Sequence, residues 1–157
     1  PERIADDRAA PDLADADAIV AAVRQLRPRL IVNAGAYTAV DLAEKERDAA
    51  QAINARAPGI LAEEARRVGA VLIHYSTDYV FDGKKGSEYL ESDIPNPLGV
   101  YGLSKLEGER AVQAVGGNTL ILRTSWVYGL TGKNFLTTIR RLAAERDARR
   151  PGHGVSG

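Results

Sequence analysis

The chain has 157 residues, of which 45% are hydrophobic, enough for one globular domain with a buried core. Its 21 basic and 21 acidic residues cancel, so no net charge draws it to nucleic acid or to an anionic membrane. The absence of cysteine and the presence of only two histidines exclude a disulfide framework and a cysteine or histidine metal cluster. No apolar run is long enough to span a membrane, and we expect a cytoplasmic protein.

Two predicted helices flank a predicted strand in the first part of the chain. Apolar residues at helical spacing predict a helix over residues 15–26, which Pro28 ends. The β-branched run at residues 30–32 predicts a central parallel strand that leads into a loop of small residues. Residues 44–68 are rich in alanine, glutamate and arginine, and they predict a long helix that is kinked or divided at Pro58.

A second predicted strand is followed by a turn rich in hydroxyl groups. Residues 71–75 predict the strand, and residues 76–78, Ser-Thr-Asp, predict the turn at its carboxyl end. Strand ends of this kind carry the sites of open α/β sheets. Asn96 is the predicted N-cap of the next helix, with Pro97 in its first turn and its end near Val115.

The last predicted elements complete an alternation of strands and helices. Two glycines precede a third predicted strand at residues 119–123, and an amphipathic helix is predicted over residues 135–146. This order is typical of an α/β protein with a parallel sheet and flanking helices. We expect one domain over residues 1–150, followed by a flexible tail at residues 151–157.

Tyr101 and Lys105 form the most informative pair of side chains in the sequence. Positions i and i+4 share one face of a helix, so the Lys105 ammonium is expected near the Tyr101 oxygen. An isolated phenol has a pKa of about 10, and a neighbouring cation lowers that pKa toward neutral pH, where proton exchange with a ketone becomes possible. The same spacing also arises by chance on exposed helices, but here it follows a strand that ends at Thr77.

Four strings in the sequence are characteristic of one enzyme family. They are residues 32–41 (VNAGAYTAVD), 74–81 (HYSTDYVF), 101–105 (YGLSK) and 123–128 (RTSWVY). Together they resemble the extended short-chain dehydrogenase/reductase family, and within it the dTDP-4-dehydrorhamnose reductases, over residues 12–146. The resemblance implies a Rossmann-like sheet and the reduction of dTDP-4-dehydro-6-deoxy-L-mannose to dTDP-L-rhamnose with NADPH or NADH, in nucleotide-sugar and cell-surface polysaccharide biosynthesis.

The resemblance also implies roles for individual residues. Tyr101 would protonate the C4 oxygen, Lys105 would lower the pKa of that tyrosine and hold the nicotinamide ribose, and Thr77 would hydrogen-bond the substrate carbonyl. Three further positions match residues near the substrate: Asp78, Tyr79 and Trp126. For Trp126, packing in the core is the alternative interpretation.

The remaining implied residues lie beside the cofactor. They are Asp12, Leu13, Ala36, Tyr37, Thr38 and Tyr75, together with Tyr101 and Lys105. For Asp12, a turn or a helix cap is nearly as good an interpretation. The family further implies Mg²⁺, and a homodimer is the assembly considered.

The sequence departs from the family toward both ends. No glycine-rich turn that would bind a pyrophosphate precedes residue 30, and the likeness fades after residue 146. We therefore expect a sheet that lacks the family's first strands. A sheet of three parallel strands is marginal, so we expect the isolated chain to bind dinucleotide weakly or not at all.

Three other interpretations stay open. A sugar-nucleotide epimerase or dehydratase of the same superfamily would share Tyr101 and Lys105, and product analysis would separate it from a reductase. A non-catalytic regulatory protein, like the beta subunit of methionine adenosyltransferase, would bind a partner enzyme without turnover. An inactive fragment would be poorly soluble or loosely packed.

Overall fold

The structure is a computed structural model that describes residues 11–125 and 137–138. The chain divides into two compact units, Pro1–Arg123 and Thr124–Gly157, and the site described below lies in the first. The expectations for Trp126, for the helix at residues 135–146 and for the tail at residues 151–157 lie outside the described residues, apart from two helical positions at 137 and 138.

The first helix is confirmed, and the predicted strand forms at one edge of the described sheet and not at its centre. Ala16–Leu26 forms α1, and the Asp15 carboxylate caps it by accepting a hydrogen bond from the amide of Ala18 at 3.0 Å. Arg27 ends the helix in the left-handed conformation, with φ of 44°. Leu30–Asn33 forms β1.

The predicted long helix is a series of shorter elements. Val40–Ala43 forms α2, Arg47–Gln51 forms α3, Ala52–Arg56 forms a π-helical turn, and Ala57–Val68 forms α4. The irregular turn precedes Pro58, because a proline ring excludes the carbonyl four residues earlier, here that of Asn54.

The second strand is two residues longer than predicted. Val71–Thr77 forms β2, so Ser76 and Thr77 are its last residues and do not lie in a turn. Thr77 is extended, with φ of −139° and ψ of 156°, as suits a β-branched residue. A 3₁₀ turn, Asp78–Val80, follows directly.

Helix α5 spans Val100–Val115, and its opening turns carry Tyr101 and Lys105 as predicted. The predicted start is wrong, because Gly99 is the N-cap residue and has no side chain with which to cap. Asn96 instead donates a hydrogen bond to Asp82 Oδ2 at 3.0 Å. The cap comes from Glu44, whose Oε1 accepts a hydrogen bond from the amide of Val100 at 2.8 Å.

The strands form a parallel sheet, which confirms the α/β class. Its order is β1-β2-β3, with β3 at Thr119–Thr124. Leu30 lies opposite Val71, and Asn33 lies opposite His74. Among the described residues, no helix is long and apolar enough to cross a membrane.

The helices α1, α4 and α5 cover one face of the sheet. The core between them and β2 consists of Ile19, Val23, Ala57, Leu61, Ala62, Ala65, Ala70, Leu72 and Val112. On the opposite face of the sheet, Leu30, Val32 and Leu120 remain 52%, 53% and 49% exposed. The sheet is therefore packed on one side in the described part of the chain.

Candidate active site

Gly102, next to Tyr101 in α5, allows the helix to pack closely on the turn that follows β2. A Cβ atom at Gly102 would collide with the carbonyl oxygen of Tyr79, so this close packing requires glycine. Tyr101 is partly exposed, whereas Lys105, one turn later, is only 2% exposed. The helix thus presents a phenol at the surface of the site and encloses an ammonium group beside it.

The phenol of Tyr101 lies beside Thr77. Burial raises the pKa of Tyr101 above its ordinary value of 10.0; the hydrogen bond with Thr77 opposes this rise, and the charges of Asp78 and Tyr79 add to it. The expectation that Lys105 lowers this pKa is wrong for this structure, since Lys105 is not among the groups that shift it. At neutral pH the phenol therefore stays protonated and can donate its proton.

Lys105 is directed to the backbone of β2. Its Nζ donates a hydrogen bond to the carbonyl oxygen of Tyr75 at 2.6 Å. Burial lowers the pKa of Lys105 to about 8, and the attraction of Glu109 opposes that decrease. An ammonium has three N–H donors, and the Tyr75 carbonyl uses one of them, so the group can also bind a hydroxyl-bearing ligand.

Thr77, Asp78 and Tyr79 form a connected turn next to the phenol. The Thr77 hydroxyl donates to Asp78 Oδ1 at 3.1 Å and accepts a hydrogen bond from the amide of Tyr79 at 3.2 Å. The Tyr79 ring meets the Tyr101 ring edge-on, with centroids 5.5 Å apart. Three of the predicted substrate-side residues are thus brought together with the predicted proton donor.

A cleft of about 500 Å³ opens beside this turn. Its wall includes Asp78, Tyr79, Phe81, Asp82, Tyr89 and Tyr101. Phe81, Asp82 and Tyr89 are not among the site residues predicted from the sequence, because residues 82–86 are rich in glycine and lysine and indicated only an exposed loop after the string at residues 74–81. The sequence feature that could have indicated these residues is the pair of aromatic side chains, Phe81 and Tyr89, on either side of that loop.

Hydrogen bonds accepted by one carboxylate hold the loop beside the cleft. Asp82 Oδ1 accepts from the amide of Lys84 at 3.0 Å and from the hydroxyl of Tyr89 at 2.8 Å, and Oδ2 accepts from Asn96. The rings of Phe81 and Tyr89 stack with centroids 4.2 Å apart. The hydrogen bond from the Lys84 amide, followed by those from Asn96 and Tyr89, lowers the pKa of Asp82 to about 2.

The loop after β1 contains the predicted cofactor-side residues Ala36, Tyr37 and Thr38. The buried side chain of Asn54 holds this loop, since its Oδ1 accepts from the Tyr37 amide at 2.8 Å and its Nδ2 donates to the Tyr37 carbonyl at 3.0 Å. Asn54 Nδ2 also donates to Ser104 Oγ of α5 at 3.1 Å. Asn54 was not predicted from the sequence, although a single asparagine in an alanine-rich helix is an unusual choice.

Two other predicted cofactor-side residues lie next to the same loop. Asp12 Oδ1 accepts a hydrogen bond from the amide of Ala14 at 2.8 Å, which is the turn alternative considered for that residue. A Cβ atom at Gly35 would lie 2.5 Å from Cδ1 of Leu13, so Leu13 packs directly on the loop. The Tyr37 hydroxyl donates to Glu46 Oε2 at 2.6 Å, and this hydrogen bond raises the pKa of Tyr37 to about 12.

His74 contributes a buried neutral imidazole next to Lys105. Its Nδ1 is 3.0 Å from Asn33 Nδ2, across the paired strands β1 and β2. Burial, with a further contribution from the Lys105 charge, lowers the pKa of His74 to about 3. Within residues 11–125 and 137–138, no group of three or more acidic, histidine or cysteine side chains is arranged to hold a metal ion, so nothing there supports the implied Mg²⁺.

Comparison with known proteins identifies close relatives. The dTDP-4-dehydrorhamnose reductases of Burkholderia thailandensis and Escherichia coli K12 are each 50% identical to this chain over 136 residues, which is 87% of the chain and 46% of either relative. The chain therefore spans about half the length of these relatives.

Solved structures agree with this likeness. The dTDP-4-dehydrorhamnose reductase of Bacillus anthracis, determined in complex with NADP, superimposes with a TM-score of 0.85 at 42% identity, over 90% of this chain and 50% of that one. The UDP-glucose 4-epimerase of Thermus thermophilus shares the fold, with a TM-score of 0.70 at 23% identity over 84% of this chain and 45% of that one. Residues 2–150 match the family described as the RmlD substrate binding domain, and the chain belongs to that family.

Proposed function

We propose that this chain supplies the catalytic part of a dTDP-4-dehydrorhamnose reductase, which reduces dTDP-4-dehydro-6-deoxy-L-mannose to dTDP-L-rhamnose. The observation that carries the proposal is the placement of a protonated Tyr101 beside Thr77 on the cleft, with the Lys105 ammonium enclosed on the same helix. The reductases of Burkholderia thailandensis and Escherichia coli are half identical to the chain, which supports the same assignment.

The raised pKa of Tyr101 suits the direction of the reaction. Reduction of a ketone adds a hydride to carbon and a proton to oxygen, so the acid must hold its proton before the reaction begins. Tyr101 does so, and its phenol donates the proton to the C4 oxygen as negative charge develops there. Thr77 would turn its hydroxyl proton from Asp78 to that oxygen, so that Thr77 and Tyr101 would both donate to it, and one such donor contributes about 3 kcal/mol in other enzymes.

A nicotinamide dinucleotide fits the residues at the ends of β1 and β2. Lys105 has N–H donors beyond the one that binds Tyr75, which suits a ribose diol. The loop at Ala36, Tyr37 and Thr38 would lie along the cofactor, with Asp12, Leu13 and Tyr75 beside it. When bound, the cofactor supplies the hydride. The reductase of Bacillus anthracis was determined with NADP, and we propose NADPH or NADH for this chain.

The sugar would occupy the cleft beside Tyr101. Asp78 and Tyr79 line the cleft, and a carboxylate and a phenol suit the hydroxyl groups of a hexose. Trp126 remains part of the proposed substrate site. A homodimer and a cytoplasmic location complete the proposal, and sedimentation and cell fractionation would test them.

A hybrid enzyme tests the proposed chemistry directly. Residues 12–146 would replace the matching segment of the Escherichia coli reductase, and dTDP-L-rhamnose would be measured by mass spectrometry with NADPH present. We expect activity that falls by about 10²–10⁴-fold in Tyr101→Phe. Glu63→Gln, at an exposed position of α4 that does not line the cleft, is the control and should retain most of the activity.

The possible products separate the alternatives. An inverted or dehydrated sugar without net reduction would assign an epimerase or a dehydratase. A folded hybrid that converts no sugar, or a Tyr101→Phe hybrid as active as its parent, would contradict the proposal. Calorimetric titration of the isolated chain with NADPH tests the separate expectation of weak or absent dinucleotide binding.

A further inference from the structure

Glu109 lies one helical turn after Lys105, on the buried side of α5. Its carboxylate is only 1% exposed, and Lys105 is only 2% exposed. Residues at i and i+4 share one face of a helix, so the two side chains lie in the same enclosed space. The position of Glu109 therefore places a negative charge near the ammonium group of the proposed site.

Arg123 of β3 fixes the carboxylate from the other side. Its Nε and Nη2 donate to the two oxygens of Glu109 at 2.9 and 2.7 Å. This two-point contact gives the carboxylate a single orientation, which a lysine partner would not do. The Arg123 guanidinium also lies 4.9 Å from the centroid of the Phe81 ring, which lines the cleft. The Glu109–Arg123 pair thus lies between Lys105 and the Phe81 side of the cleft.

Other elements packed against α5 also bring ionisable groups. These are Glu44 at Val100, Asp78 beside Tyr101, Arg66 at Val115, His74 beside Lys105 and Arg123 on Glu109. On α5 itself, Glu107 accepts a hydrogen bond from Gln51 and faces away from Lys105 in that contact. Since His74 is neutral, Glu109 is the acidic group that acts on Lys105 among the described residues.

We propose that Glu109, held by Arg123, is a positioning residue that keeps the Lys105 ammonium charged inside the site. This inference rests on the proposed function for its purpose, since a charged Lys105 is what would bind the ribose. The effect of the Glu109 charge on Lys105 can be measured without any catalytic turnover. The attraction of Glu109 opposes the effect of burial, which alone would lower the pKa of Lys105 further.

A measurement of the pKa of Lys105 in the isolated chain tests the inference. Lysine labelled with ¹³C at Cε would be titrated by NMR, and Lys105→Arg would assign its resonance. In Glu109→Gln, which keeps the shape and loses the charge, we expect the pKa of Lys105 to fall by at least about one unit, as Coulomb's law gives for a charge one helical turn away in a partly buried site. Glu109→Asp, which keeps the charge, should restore most of the value.

Glu64 offers a matched control. It is 3% exposed and accepts hydrogen bonds from Nε and Nη2 of Arg24 at 2.7 and 2.8 Å, the same arrangement as Glu109 with Arg123. Glu64 is not among the groups that shift the pKa of Lys105. Glu64→Gln should therefore destabilise the fold and leave the pKa of Lys105 unchanged.

A second variant guards against misfolding of Glu109→Gln, which leaves Arg123 partly unpaired. Combining Glu109→Gln with Arg123→Gln removes both members of the pair, so Arg123 is not left as an unpaired charge, and the pKa of Lys105 should still fall. An unchanged Lys105 pKa in either folded variant, or an equal decrease in Glu64→Gln, would overturn the inference. Activity of the hybrid reductase tests the proposed function separately, because the titration needs neither cofactor nor sugar.

Discussion

Glu44 caps the helix that carries Tyr101, because its Oε1 accepts a hydrogen bond from the backbone amide of Val100 at 2.8 Å. The contact joins residues 56 positions apart, and it provides the cap that Gly99 cannot. A Cβ at Gly99 would lie 2.9 Å from the same oxygen, so the glycine also makes room for the carboxylate. The orientation of the first turn of α5 therefore depends on a side chain from the segment after α2.

Loss of this cap should destabilise the protein. For Glu44→Ala we expect the free energy of unfolding to fall by about 1 kcal/mol, as for other lost helix caps. Urea denaturation followed by circular dichroism measures the change. Glu63→Ala removes an exposed glutamate from α4 and should change the stability by less than about 0.5 kcal/mol. Equal effects of the two substitutions would show that Glu44 does not act as a cap.

A methyl group at Gly108 should disturb the packing of α5 on the π-helical turn. Its Cβ would collide with the Asn54 carbonyl oxygen, and overpacking of this kind costs about 1–3 kcal/mol. Gly59→Ala is the graded comparison, since its Cβ would lie 3.1 Å from the Ala111 methyl. There the gain in helix propensity, up to about 1 kcal/mol, offsets the tight contact. Thermal unfolding should rank Gly108→Ala well below Gly59→Ala.

His74 should make the fold sensitive to mild acid. Its pKa is about 3 in the folded chain and 6.5 in its ordinary environment, so the unfolded state binds the proton more readily. The stability due to the neutral imidazole is fully present above pH 6.5 and is lost as the pH falls toward 3. Between pH 7.5 and 5 we expect a loss of about 2 kcal/mol from this residue.

Two variants isolate that contribution. Urea denaturation at pH 7.5 and at pH 5 should show the loss in the wild type and in His153→Asn, which removes the other histidine of the sequence. In His74→Asn the difference between the two pH values should largely disappear. The comparison uses differences between pH values, so a general loss of stability in His74→Asn does not affect it.

Asp82 should control the order of the loop at residues 83–96. Asp82→Asn weakens its contacts with the Lys84 amide, Tyr89 and Asn96, so we expect faster amide hydrogen exchange at Lys84 and across that loop. The order due to the carboxylate is present above pH 3.8 and is lost as the pH falls through about 2. Asp41→Asn, at an exposed position of α2, should leave the exchange of the loop unchanged.

The regular elements were predictable because each has a strong local signal. Asp15 and Pro28 bound α1, and the short β-branched run after Pro28 favours a strand at β1. The start of α5 was not predictable in the same way. Asn96 and Pro97 form a good local start signal, but Asn96 binds Asp82 and the cap comes from a distant glutamate. Such long-range competition between hydrogen bonds leaves no mark in the local sequence.

In the candidate site, too, the features with a local signal were predictable and the features that depend on distant contacts were not. The pairing of Tyr101 with Thr77 follows from a strand end and a helix start, and the structure brings the two together. The direction of the Tyr101 pKa shift did not follow, since it depends on where the Lys105 ammonium points. The Tyr75 carbonyl that binds this ammonium is a backbone group, which the identity of the residue does not reveal.

The contact between Gly102 and the Tyr79 carbonyl also determines how the site can move. Backbone meets backbone there with no side chain between, so little in the contact can absorb a relative displacement of the helix and the 3₁₀ turn. We therefore expect the 3₁₀ turn and the first turn of α5 to move together, with Thr77 at the strand end next to that turn. Loosening of the loop at residues 83–96 should then leave the backbone of Tyr101 in place relative to β2.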